Sequence, residues 1–266
     1  MMVLLAVILA SGAVDPGSFH YLGAFRLPEG GERPHTFQYG GEAMTWLPGD
    51  PGTLLVMGHN SMPYGELPDG NRVAEVSIPS PVISGDIEDL PRAELLTGFV
   101  PLFEELFPGM DEIPRAGMEW SGDRLHLCRG QHLEESPPPS HGLAAFGEDT
   151  VFAGPWSLSG CIHYGTNDYM FSAPSMWADT HTGGRMMLTG RYRDGGWGGR
   201  GPSLYAYLPP DPGWSGSYLP AIPLLQYRTF LDTDLIEGCI TGYQHADEWT
   251  GGAWVEDGSG NQAVLF

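Results

Sequence analysis

Pro174–Pro210 decides the fold: Pro174-Ser-Met-Trp-Ala-Asp-Thr-His-Thr-Gly-Gly-Arg-Met-Met-Leu-Thr-Gly190, then Arg191-Tyr-Arg-Asp-Gly-Gly-Trp-Gly-Gly-Arg-Gly201, then Pro202-Ser-Leu-Tyr-Ala-Tyr-Leu-Pro-Pro210. A short apolar segment ends at Trp177, a tight turn lies at Thr182–Gly184, and a second apolar segment closes at Gly190. A long polar loop follows, and a third segment, Ser203–Leu208, is cut off by proline. Short strands joined by one tight and one long connection predict an antiparallel meander.

The same order of features recurs on both sides of this stretch. Gly41–Trp46 leads to a turn at Pro48–Gly52, a segment Leu54–Gly58, a loop from His59 to Asn71, and Val73–Ile78 before Pro79. Gly117–Trp120 leads to a turn at Ser121–Asp123, Leu125–Gly130, a proline-rich loop Glu134–Ser140, and Leu143–Phe146. A further copy begins at Gly251–Trp254, turns at Asp257–Asn261 and runs into Ala263–Phe266. The tryptophan-to-glycine spacings are 12 (Trp46 to Gly58), 10 (Trp120 to Gly130) and 13 (Trp177 to Gly190). On that spacing the glycine of the fourth copy falls at or beyond the last residue, so the expectation is a fold truncated at its C-terminus. Between the copies, His20–Leu27 reads as a lone strand and Leu102–Phe107 as a helical turn or two.

Small antiparallel sheets that cannot each bury two faces alone predict radial stacking. The expected fold class is therefore all-β, a β-propeller built of antiparallel meander blades, with about four present. The expected organisation is a signal peptide over residues 1–13 and one incomplete propeller domain over 14–266. The repeated Trp, Gly and Pro positions, with Trp-Ala-Asp at 177–179, Thr189–Pro202 and Gly-Gly-Ala-Trp at 251–254, resemble exported bacterial β-propellers of uncharacterised function. The likeness covers roughly residues 20–266 and brings no catalytic motif. It implies a ring around a channel, with the lone first strand completing the last blade.

Composition narrows the chemistry. The chain has 266 residues, 39 glycines and 24 prolines, and 41% of it is apolar, which suits a turn-rich β protein and excludes intrinsic disorder. Its 33 acids outweigh 12 bases for a net charge of −21, and every base is arginine. The absence of lysine removes Schiff-base chemistry and a phosphate-loop lysine. The acidity disfavours nucleic acid as a partner. The apolar run Val3–Leu9, followed by Ala10-Ser11-Gly12-Ala13, is too short to cross a bilayer and reads as a signal-peptide core. That places the protein in the periplasm or outside the cell, with no transmembrane segment. Cys128, Cys161 and Cys239 show no metal-ligand spacing; a bridge between two of them and three free thiols both remain open.

In each unit the turn after the tryptophan is short and the connection after the glycine is long. Antiparallel geometry gathers the long loops and the beginnings of the first strands at one end, and binding groups favour such loops. That end offers Tyr39, Glu42, His59 and Asn60; Arg115, Glu119, Gln131 and His132; Arg191, Arg193 and Asp194; and His245, Asp247 and Glu248. Carboxylates, histidines and arginines in register suit a glycan or another polar small ligand. No cofactor is expected, although clustered carboxylates also suit a divalent cation such as calcium. The alternative is a polysaccharide-active hydrolase or lyase using Glu42 and Glu119 with His59. Several motif matches fail on context. Gly196–Gly201 has the dinucleotide-loop spacing but no helix behind it. Asp232-Thr233-Asp234 lacks the glycine of a calcium loop. His245–Glu248 lacks a second histidine at a helical offset.

Overall fold

The computed structural model describes residues 14–59, 70–109, 114–131, 139–146, 150–159, 168–193, 201–211, 213–227, 240, 242, 244 and 247–266. The expected signal peptide over residues 1–13, Cys161 and Cys239 lie outside them. The described chain is predominantly β. Its first sheet holds β1 (Met44–Leu47), β2 (Thr53–Met57) and β3 (Val73–Ser77), paired antiparallel in that order. Residues 95–100 run alongside β3 through bridges at Val76–Leu95 and Val73–Val100. The helical turn expected near Leu102 is α1 (Leu102–Leu106).

Two four-stranded antiparallel meanders follow. One comprises β4 (Pro114–Ser121), β5 (Arg124–Gln131), β6 (His141–Ala145) and β7 (Val151–Ser159). The other comprises β8 (Tyr169–Ser172), β9 (Met187–Gly190), β10 (Ser203–Tyr207) and β11 (Tyr218–Gln226). Their outer strands pair in parallel, Tyr218 with Ser157 and Leu219 with Leu158, so all eight form one sheet in the order β4-β5-β6-β7-β11-β10-β9-β8. The two end strands of that sheet, β4 and β8, pack side by side, which nearly closes it. A hairpin of β12 (Ala253–Glu256) and β13 (Gln262–Leu265) comes last, and its Asp257 carboxylate accepts from the backbone N–H groups of Ser259 and Asn261.

Successive sheets bury both faces. Leu55, Met57 and Val73 of the first sheet meet Met118, Leu125 and Leu127 on one face of the next, with Phe103 and Leu106 of α1 in the same cluster. Cys128, Leu143 and Trp156 on the other face meet Met170, Met187, Tyr207 and Leu219. Leu188, Leu204 and Phe171 then meet Trp254, Val264 and Phe266. Burial on both faces explains why β9 and β10 read as continuous runs with every residue buried. On the first sheet, Met44 and Trp46 of β1 remain exposed.

Three expectations change. Trp177 does not end a strand; it lies in α2 (Ser175–His181), and the first strand of that unit is β8, upstream. Pro174 starts this helix with a fixed φ, and Gly183 and Gly184, both at positive φ, end it. His20–Leu27 is no regular strand. It contributes two isolated bridges, Ala24 to Val82 and Arg26 to Arg92, and Phe25 and Leu27 pack on Val56 and Val76 of the first sheet. The segment therefore packs on the face of the first sheet, and no bridge joins it to β12 or β13 among the described residues. Finally, β7 and β11 were not foreseen, because Pro155, Pro220 and Pro223 break the apolar pattern. Both strands nevertheless lie inside the eight-stranded sheet, and their pairing with β6 and β10 carries register irregularities, between His141 and Leu143 and between Leu204 and Tyr205, where a missing N–H donor is tolerated.

Candidate functional site

The strands β1, β4, β8 and β12 lie next to one another in that order. Residues at their beginnings therefore meet the residues that leave β9. Glu42 precedes β1, Arg115 opens β4, Asp168 precedes β8, and Arg191–Arg193 follow β9. The Arg115 Nη1 donates to Glu42 Oε1 at 2.8 Å. Its guanidinium carbon also sits 4.6 Å from the centre of the Tyr192 ring. The Arg193 guanidinium lies over the same ring at 4.9 Å. Arg193 reaches Glu248 at 3.9 Å, which is an ion pair but too long for a hydrogen bond.

Tyr192, the platform for both arginines, is fixed through its backbone. Its N–H donates to Asp168 Oδ2 at 3.0 Å, and its carbonyl accepts from the Trp249 N–H at 2.7 Å. Asp168 is anchored in turn, because its N–H donates to the Gly190 carbonyl. The residue keeps some exposed surface, but its carboxyl is enclosed. Burial pushes the Asp168 carboxyl up to about 6, against the Tyr192 N–H and the charges of Arg191, Arg115 and Arg193, which pull it down. For Arg115 burial lowers the pKa, and the Glu42 carboxylate with Tyr192 and Asp168 more than offsets it, so the net shift is upward.

The remaining residues singled out from the sequence fall into other environments. Arg191 is buried, with its Nε donating to the Gly201 carbonyl at 2.8 Å and its backbone N–H to Ser203 Oγ, so it anchors the loop stem. His59 is fully buried; its Nδ1–H donates to the Gln38 carbonyl at 2.6 Å, and its Nε2 has no hydrogen-bond partner. The ring of His59 meets that of Tyr39 edge-on, and Tyr39 is 74% exposed with φ 57°. Asp247 accepts from the Tyr227 hydroxyl and the Gln244 N–H, both at 2.9 Å. Gln131 ends β5 opposite Pro114. Asn60, His132, Asp194 and His245 lie outside the described residues.

Glu119 is a correction to the face read from sequence. It pairs with His126, next to the tight turn and away from the beginning of β4. Its carboxylate accepts from the Thr45 hydroxyl at 3.3 Å, from the Ser172 N–H at 3.1 Å and from the Ser172 hydroxyl. One side chain of β4 thereby ties β1 and β8 together. Burial raises the pKa of Glu119, and those three hydrogen bonds oppose the rise.

Comparison with family models, curated proteins and solved structures finds no match. The geometry alone therefore carries the reading. Asp168 is the residue that sequence reasoning missed. The available signal was its place before a first strand, equivalent to that of Glu42, but starting that unit at Trp177 hid it. Among the described residues, no three His, Cys, Asp or Glu side chains converge to hold a metal ion. His141, Cys128 and Thr189 form a buried polar knot behind the site. His141 contacts Ser140 Oγ at 3.0 Å and Thr189 Oγ1 at 3.3 Å, and burial lowers its pKa to about 3. Burial pushes the Cys128 thiol up, so it is a core residue rather than a nucleophile.

Proposed function

We propose that the chain is an exported β-propeller whose meanders are blades, and that it binds a glycan or another polar small ligand at the long-loop end. Two features support the blade reading. The first strands β1, β4, β8 and β12 neighbour one another in that order, and successive units pack face to face. Export rests on the apolar run Val3–Leu9 and the small residues after it. The observation that carries the binding reading is the chain of contacts Glu42–Arg115–Tyr192–Arg193–Glu248 at the strand beginnings. It sets planar donors, held on the buried Tyr192 ring, beside carboxylate acceptors, which suits a polyhydroxylated ligand.

Local pairing of the carboxylates favours binding over hydrolysis. Glu42 is paired with Arg115, Glu119 is bonded to Thr45 and Ser172 at the other end of its strand, and His59 is tied to Gln38. A second reading, a hydrolase or lyase, rests on the enclosed Asp168 carboxyl, which burial pushes up to about 6 against the charges of Arg191, Arg115 and Arg193. A glycan-array screen of the purified chain, run with a reducing-end release assay on the same saccharides, separates the two. Retention of a glycan without release of reducing ends is the expected result. Release of new ends, abolished by Asp168→Asn, would replace binding with catalysis, and silence in both assays would remove both readings.

A further inference from the structure

We infer that the ligand of this end is a saccharide bearing carboxylates, a uronate-type chain, held by Arg115 and Arg193 across the Tyr192 ring. The inference rests on the glycan-binding reading and adds the charge of the ligand. Arginine is scarce in this chain, 12 residues against 33 acids, yet Arg115, Arg191 and Arg193 all act on the one enclosed carboxylate Asp168. Such a concentration of cations runs against the overall charge and needs a local reason.

The donors of Arg193 are underused, and those of Arg115 are partly taken. A guanidinium carries five N–H donors. Arg115 donates through Nη1 to Glu42 and also hydrogen-bonds the Tyr192 side chain, and its Nε is buried without a partner. Arg193, among the described residues, has only the 3.9 Å ion pair with Glu248 and its stack on Tyr192. Stacking on one ring, itself held by Asp168 and Trp249, orients both guanidinium planes before any ligand arrives. Oriented forks with spare donors match a planar carboxylate, which they can grip through two parallel bonds.

The flanking acids narrow the class further. Glu42, Asp168 and Glu248 surround the arginines, so a doubly charged phosphate would meet three carboxylates as well as the −21 field of the chain. Each uronate ring presents a single charge to the arginines, where a phosphate would present two, and its hydroxyls can donate to Glu42 and Glu248. A neutral sugar accepts from the guanidinium donors only through its hydroxyl oxygens, without the charge-assisted pair that a carboxylate provides.

Isothermal titration with galacturonate, glucuronate and mannuronate oligomers, each alongside its carboxyl-reduced counterpart, tests this. At least one acidic oligomer should bind about tenfold or more tightly than its reduced form, as expected for losing a charge-assisted pair. Arg193→Gln should abolish that ratio, while Arg124→Gln, beside the tight turn of the second sheet, should keep it. Circular dichroism of each variant confirms folding. Equal affinity for acidic and reduced oligomers would overturn the inference and leave glycan binding standing. An acidic preference untouched by Arg193→Gln would also overturn it, and silence across both sets would remove it together with glycan binding.

Discussion

Gly117→Val should cost about 3 kcal/mol or more of unfolding free energy, the largest loss expected from one substitution on β4. Gly117 lies where β4 and β8, the two ends of the nearly closed sheet, approach one another. A Cβ built there would stand 2.6 Å from the Met170 nitrogen, 2.7 Å from the Tyr169 carbonyl carbon and 2.8 Å from Cys128 Sγ. Two of these atoms are backbone and cannot swing aside, so the strands must separate. Separation would also open the packing of Cys128, Leu143 and Met170 between the meanders. Urea unfolding of the variant measures the loss. Gly85→Ala is the control, because a Cβ there meets nothing within 4 Å, and it should change stability by less than about 0.5 kcal/mol. Wild-type stability in Gly117→Val would mean that β4 and β8 do not pack in solution.

The second large effect is a pH dependence. The ordinary carboxyl value for Asp168 is 3.8, and burial pushes it up to about 6 in the folded chain. The folded state thus holds this proton more tightly than the unfolded state does. Its contribution to stability is complete below the unfolded value and is lost as pH rises through about 6. The loss amounts to about 3 kcal/mol at most, a net figure that already includes the attraction of the arginines. Asp168→Asn cannot ionise, and its amide oxygen can still accept from the Tyr192 N–H. The variant should therefore gain stability relative to the wild type between pH 4 and pH 7. Urea unfolding of both proteins at the two pH values reads the difference. A stability gap that does not change with pH would show that Asp168 is not enclosed as described.

Much of this arrangement was legible in the sequence, and the failures have physical causes. The turns at Pro48–Gly52 and Ser121–Asp123 and the segments around them formed the expected antiparallel pairs, because glycine, proline and aspartate punctuate the chain where strands reverse. The third unit misleads because Trp177 reads as a strand marker. Its neighbours Ser175–His181 suit a helix as well as a strand, and spacing alone does not separate the two over so short a run. That shift hid β8 and, with it, Asp168. The outer strands β7 and β11 were hidden by their prolines. At the site, Glu42, Arg115, Arg193 and Glu248 were placed by strand polarity and do converge. Glu119 was placed wrongly because it lies four residues beyond Arg115, far enough along an extended strand to reach the opposite end of the sheet. Tyr192 carries no such signal, since of its two flanking arginines only Arg193 lies over its ring and the other guanidinium there, Arg115, comes from β4.

Hydrogen–deuterium exchange of the intact chain, with and without a saturating saccharide retained on the array, tests the central claim most directly. Exchange should slow in peptides covering 39–44, 114–118, 168–173 and 190–193, where the strand beginnings meet the chain leaving β9. The tight turns at 48–52 and 121–124, at the other end of the same sheets, should exchange at unchanged rates. Slowing confined to those turns, or no change at the strand beginnings under saturation, would contradict a ligand site at this end.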